Sequence, residues 1–92
     1  MRDETRRDVE RRLRSVAGHV QGVLRMVESE TYCIDLLRQL EAVEQALRKV
    51  RQRLLQDHLD TCVTTAIQGR DVKERERVLR ELLEVYTAGG RR

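Results

Sequence analysis

LLRQLEAVEQALRKVRQRLL, the stretch from Leu36 to Leu55, decides the fold. Its apolar residues fall at Leu36, Leu40, Val43, Leu47, Val50 and Leu54, in steps of 4, 3, 4, 3 and 4. A repeat near 3.5 residues held over several turns puts one apolar stripe on an α-helix and packs it against other helices at shallow angles. Leu55, Leu59, Val63 and then Ala66 or Ile67 continue on a neighbouring stripe, and neither Pro nor Gly interrupts the run. The spacing predicts one helix over 32–68. At about 1.5 Å per residue such a helix is on the order of 54 Å long, too long for one small globule.

The flanks repeat the pattern. Val9, Leu13, Val16, Val20, Val23 and Val27 predict a helix over 5–28, and Val78, Leu79, Leu82, Leu83 and Tyr86 predict a third over 71–87. Ser29-Glu30-Thr31 breaks the first stripe, with Thr31 as the N-cap of the middle helix. Gly69 stands where a left-handed closing residue belongs, and Asp71 with Glu74 forms an approximate capping box. Residues 88–92 read as a frayed tail. The expected architecture is all-α: a single domain over 1–92, three helices per chain with a long middle helix.

Composition narrows the class. Ninety-two residues with 39% hydrophobic and 38% charged content, no Phe, no Trp and no Pro make a thin core. A chain this short buries only about 60–65% of its unfolded surface, so pairing with a second chain is expected. No apolar run approaches the ~20 residues of a membrane span, and no basic start with an apolar core marks a signal peptide. The expected compartment is the reducing cytosol, where two cysteines stay free and bind metal or react.

Cys33, His58 and Cys62 are the soft-metal donors. His58 and Cys62, four apart, share a helix face. Cys33 lies 25 residues before His58, roughly 37 Å along a continuous helix. An antiparallel pair of chains with its two-fold axis near Leu47 brings Cys33 of one chain beside His58 and Cys62 of the other, twice per dimer. Read singly, a Cys on an apolar face is a small buried hydrophobe and a His near a helix end a surface group. Together, two thiolates and an imidazole favour Cu(I), with Zn(II) second because structural zinc takes four protein ligands.

Gly18-His19-Val20-Gln21-Gly22, Arg25-Met26, Tyr32-Cys33-Ile34-Asp35 and His58-Leu59-Asp60-Thr61-Cys62 resemble the copper-sensitive operon repressors, over about Arg12 to Tyr86. Cys, His, Cys at the ligand positions is that family's copper pattern. Its persulfide sensors lack the His, and its nickel and cobalt sensors carry a His at the third position and another near the N-terminus. The resemblance implies an antiparallel helical-bundle homodimer, a homotetramer built as a dimer of dimers, and Tyr32 and Glu81 grouped around the ligands. The Gly69–Glu76 stretch is longer than the family pattern, which leaves Glu84 or Glu76 as alternatives to Glu81. His19 reads as a surface residue and Met26 as core filler. Gly18 and Gly22 read as points of close helix approach.

Charge supplies the partner. Arg11, Arg12, Arg14 and Arg25 follow Glu10 with no acid before Glu28, and Arg48, Lys49, Arg51 and Arg53 lie between Glu44 and Asp57, again with no acid. Two Tyr build no stacking platform for single strands, so duplex DNA held by its phosphates is the expected partner. By position the resemblance points to Arg12 and Lys49 as DNA contacts. The charge clusters add Arg14, Arg48 and Arg51. The expected function is a Cu(I)-sensing repressor that binds operator DNA without metal and leaves it with metal. It is not an enzyme, and has no membrane or small-molecule substrate. A thiol- or persulfide-responsive repressor of the same fold is the rival; a mutase needs arginines inside the bundle, and these lie outside the apolar stripes.

Overall fold

The computed structural model describes residues 1–90. Helix α1 spans Asp3–Glu28 and α2 spans Cys33–His58. A π-helical turn follows over Leu59–Val63, then the short α3 over Thr64–Gln68, then α4 over Val72–Gly90. The described residues contain no strand. The chain divides into two compact units, Met1–Gln56 and the remainder from Asp57.

The first unit pairs α1 with α2. Val9, Val16 and Val23 are buried at seven-residue intervals on α1, as are Val43 and Val50 on α2. Burying a valine stabilises the fold by ~1.5–2 kcal/mol. The intervening members of the same stripe stay open: Leu13, Val20 and Val27 on α1, and Leu40 and Leu47 on α2, are 40–54% exposed. One chain thus satisfies half of each heptad stripe and leaves the other half facing outward. His19 is no free surface group. It is half-buried, and its Nε2 hydrogen-bonds Gln39 Oε1 across the two helices at 2.7 Å. Met26 is half-buried, as filler should be. The expected close approach at Gly18 and Gly22 is absent within the unit. A Cβ at Gly18 meets nothing within 4 Å, and one at Gly22 meets only the Arg25 side chain at 3.8 Å.

The link between α1 and α2 corrects the reading of Thr31. Glu30 N–H donates to Val27 O and Thr31 N–H to Met26 O, with Glu30 at φ 56°. That is a Schellman closure with a glutamate where glycine usually sits. Thr31 therefore seals the end of α1, and the Tyr32 carbonyl, accepting from Asp35 and Leu36, opens α2.

In the second unit the helix that began at Cys33 widens instead of running on regularly. Thr64 N–H donates to Leu59 O, five residues back, and the Thr64 hydroxyl reaches the same carbonyl. The hydroxyls of Thr61 and Thr65 donate to Asp57 O and Thr61 O, at 2.8 and 2.6 Å. Threonines that bond back to helix carbonyls compete with the regular ladder, and three in five residues replace one α-turn by a wider one. Gly69 has no positive φ, against expectation. Its missing side chain matters for space, because a Cβ would lie 3.3 Å from Thr65 O and 3.4 Å from Ala66 O. Asp71 does cap α4, accepting Glu74 N–H at 3.2 Å, but Glu74 turns to Arg77 and completes no box. Arg75 ties the turn by donating to Gly69 O at 2.7 Å. Residues 88–90, expected in the tail, belong to α4; the rest of that tail, Arg91 and Arg92, lies outside the described residues.

Candidate functional site

His58 closes α2 and Cys62 lies within the π-turn. Their four-residue spacing crosses a widened turn, not the regular α-turn the sequence suggested. Both side chains still line one cavity of about 640 Å³ in the second unit, with Thr61, Arg77, Val78 and Glu81. The Thr61 hydroxyl lies 3.5 Å from Cys62 Sγ. Val78, the buried valine of α4, lines the same cavity.

The candidate acids differ in where they stand. Glu81 lines it, while Glu76 and Glu84 do not. Glu74 lines it as well, one helical turn before Val78. Arg77 lies between the two carboxylates, donating to Glu81 Oε1 at 2.7 Å and to Glu74. Arg77's hydrogen bonds and charge hold the Glu74 carboxyl below its ordinary range, and the Glu74 contact in turn raises the guanidinium still further. The sequence reading missed this ion-pair triad, although Glu74, Arg77 and Glu81 follow the i, i+3, i+7 spacing of one helix face.

Cys33 and Tyr32 belong to the first unit, at the opening of α2. Both are exposed, as is Cys62, and both cysteines are free thiols. Among the described residues of one chain, no group of three or more His, Cys, Asp and Glu side chains is placed to hold a metal ion. His58 and Cys62 thus stand at one cavity with Glu81.

The basic residues form a second feature, wholly within the first unit. Arg12 from α1 and Lys49 from α2 line one groove of about 270 Å³, with Arg11, Ser15 and Gln45. The two clusters that the sequence showed separately therefore meet through Arg12 and Lys49. Arg14, Arg48 and Arg51 are exposed and do not line the groove. The acid-free stretch after Glu10 is not acid-free in space. Asp8, one turn earlier, accepts from Arg11 Nη2 at 2.7 Å and from Arg12 Nε at 2.9 Å. The i, i+4 spacing of Asp8 and Arg12 was the signal for it.

An all-helical chain with a thiol and an imidazole beside one cavity, and a separate basic groove, has the parts of a metal-responsive regulator. The family model described as metal-sensitive transcriptional repressor matches residues 5–87, and the chain belongs to that family. It is 43% identical over 56 residues to the copper-sensing transcriptional repressor CsoR of Mycobacterium tuberculosis, a match covering 61% of this chain and 47% of that relative. The chain thus matches about half the length of its mycobacterial relative. Over 75 residues it is 41% identical to the copper-sensing repressor CsoR of Bacillus subtilis, covering 82% of this chain and 71% of that protein. The crystal structure of the copper-sensing repressor CsoR with Cu(I) from Geobacillus thermodenitrificans superimposes with a TM-score of 0.87 at 37% identity, covering 99% of this chain and 92% of that one. No described helix is long and apolar enough to cross a membrane.

Proposed function

We propose that the chain is a Cu(I)-sensing transcriptional repressor that holds operator duplex DNA in the metal-free state and releases it when Cu(I) binds. The observation that carries this is the convergence of His58, Cys62 and Glu81 on one cavity. Cys33 of a second chain completes the donor set. Two thiolates and an imidazole suit Cu(I), which tolerates three ligands, better than Zn(II), which takes a fourth. Held by these donors, the ion would tie the two chains together. The protein's own groups do the rest. The His58 ring nitrogen not used for metal donates to the Glu81 carboxylate, and Tyr32 stands next to Cys33 to pack against the same ligands. Glu81 also accepts from Arg77 on α4, so a contact with His58 would compete with that ion pair and couple the donors to α4.

The exposed halves of the heptad stripes support pairing with a second chain, and the donor spacing and the resemblance of the sequence make that pair an antiparallel homodimer and two such pairs a homotetramer. Arg12 and Lys49, in one groove, contact DNA phosphates, with Arg14, Arg48 and Arg51 extending the basic face. Such a protein works in the cytosol, where its thiols stay reduced.

The test is DNA binding by the reduced protein, titrated with Cu(I) without oxygen. Copper is expected to weaken binding by a factor of roughly 5–150. Glu81→Ala is expected to keep Cu(I) bound and lose most of that factor. Release by persulfide with none by Cu(I) would instead support the thiol-responsive reading, which the two exposed free thiols also permit.

A further inference from the structure

Asp8 does not line the basic groove, but it is paired with two of the arginines that do. Asp8 projects from the second turn of α1, with its side chain only 23% exposed. Its Oδ1 accepts from Arg11 Nη2 at 2.7 Å and its Oδ2 from Arg12 Nε at 2.9 Å. Arg53 Nε, from α2, lies 3.7 Å from the same Oδ2. Hydrogen bonds from Arg12 and Arg11 hold the Asp8 carboxyl below its ordinary range, so it is a full negative charge at neutral pH. Two of the guanidiniums it faces, those of Arg11 and Arg12, also line the groove with Lys49. Of the cations that line that groove, Lys49 has no such partner among the described ion pairs, while both arginines do.

A purely structural role is the ordinary reading of such a carboxylate. The geometry speaks against it as the main effect. Contacts three and four residues apart on one helix add only tenths of a kcal/mol, and the cross-helix approach of Arg53, at 3.7 Å, is too long for a hydrogen bond. What Asp8 does change is the field in the groove. A phosphate arriving at Arg12 meets a guanidinium already engaged by an anion, and must share it or displace the carboxylate against like-charge repulsion.

We infer that Asp8 is a built-in counter-anion that competes with DNA phosphates for Arg11 and Arg12 and holds the repressor's affinity for DNA below what its arginines alone would give. The inference rests on the reading of the Arg12–Lys49 groove as the phosphate-binding face. It has a regulatory logic. A ligand-linked change of roughly 5- to 150-fold empties an operator only when the unliganded affinity lies within that factor of the working concentration. A repressor with every arginine free would bind more tightly and need a larger ligand-linked change to be released.

The experiment is a salt series of anisotropy titrations on the full-length reduced protein, with a fluorescein-labelled random-sequence duplex as the probe. Asp8→Asn and Asp8→Ser are the neutral variants, Asp8→Glu the conservative one, and Arg12→Ala and Lys49→Ala the controls for the face itself. The neutral variants are expected to bind about three- to tenfold more tightly at low salt. Their slope of log affinity against log salt is expected to steepen by roughly 0.9 for each further phosphate that the freed arginines neutralise. Asp8→Glu is expected to restore the parent slope. A structural role predicts the opposite sign, weaker binding with a lowered thermal midpoint. If the neutral variants bind equally or more weakly while Arg12→Ala and Lys49→Ala still lose affinity, the inference is overturned and the groove reading stands. If Arg12→Ala and Lys49→Ala bind as well as the parent, both fall.

Discussion

The two units of the chain are built by different rules. From Met1 to Gln56, two long helices bury five valines, spaced at seven-residue intervals along each helix. From Asp57 onward, Val78 is the one apolar side chain buried among the described residues, and helix regularity gives way to a π-turn held by threonine hydroxyls. The first unit is a scaffold whose order comes from packing. The second is thinly packed and held largely by polar contacts, the composition expected of an element that changes shape at low cost. His58, Cys62 and Glu81 all stand in the second, and the basic groove stands in the first. In the proposed function, therefore, two of the three donors stand in the thinly packed unit, the third, Cys33, comes from the well-packed unit of a second chain, and DNA meets the well-packed unit.

The strongest challenge to that division is at the donors. Cys33→Ala and Cys62→Ala are each expected to lower Cu(I) affinity about 100-fold or more, beyond what loss of an outer partner costs. Because both thiols are exposed, neither change should move the thermal midpoint. Mixing the two variants is expected to restore one intact donor set in each mixed dimer, because the other set then carries both losses. Spectrophotometric Cu(I) competition on the mixed sample reads this directly. Full Cu(I) binding by both single variants would remove the donor assignment; failure of the mixture to recover any site would confine the donors to one chain.

A second measurement weighs the scaffold. Val16 and Val50 are 8% and 5% exposed, and shortening either to Ala removes two methyl groups from the core. Each is expected to cost about 2 kcal/mol in denaturant unfolding, from lost burial and the cavity left behind. Leu13→Ala, on the open half of the stripe, carries a different signature: its cost should grow with protein concentration if a second chain covers that face. A concentration-independent loss at Leu13 would mean that the open half stays wet.

Legibility followed the same boundary. Heptad steps were enough to place α1, α2 and α4, because long periodic stripes are the strongest signal a sequence carries. They did not say which half of each stripe one chain buries, since Val16 and Val20 are identical in chemistry and differ only in which partner faces them. The π-turn was hidden because threonine is tolerated in helices, and its effect depends on which carbonyl each hydroxyl finds. Cys33, His58 and Cys62 stood out by residue type alone. Arg77 and Asp8 did not, because a charged residue on a helix is ordinary until its neighbours are seen. Spacing favoured Thr31 as a cap on composition, and backbone geometry gave that corner to Glu30 instead.

That corner is also the finest test of the scaffold. Glu30 takes φ 56°, a conformation in which a side chain crowds the following carbonyl. Glycine has no such penalty, and the two closing bonds, Glu30 N–H to Val27 O and Thr31 N–H to Met26 O, are made by the backbone and survive the substitution. Glu30→Gly is therefore expected to stabilise the fold by about 0.5–1 kcal/mol, the steric relief less the extra chain entropy of glycine when unfolded. The sign is what matters. Cys33 opens α2 three residues later, so a strained corner next to a donor invites the view that strain is held there for function. If Glu30→Gly stabilises the protein and leaves Cu(I) affinity unchanged, the strain is a tolerated cost of the closure and the first unit is scaffold throughout. If it stabilises the protein while lowering Cu(I) affinity, the corner tunes how Cys33 is presented, and the line between stiff scaffold and responsive unit moves to include it.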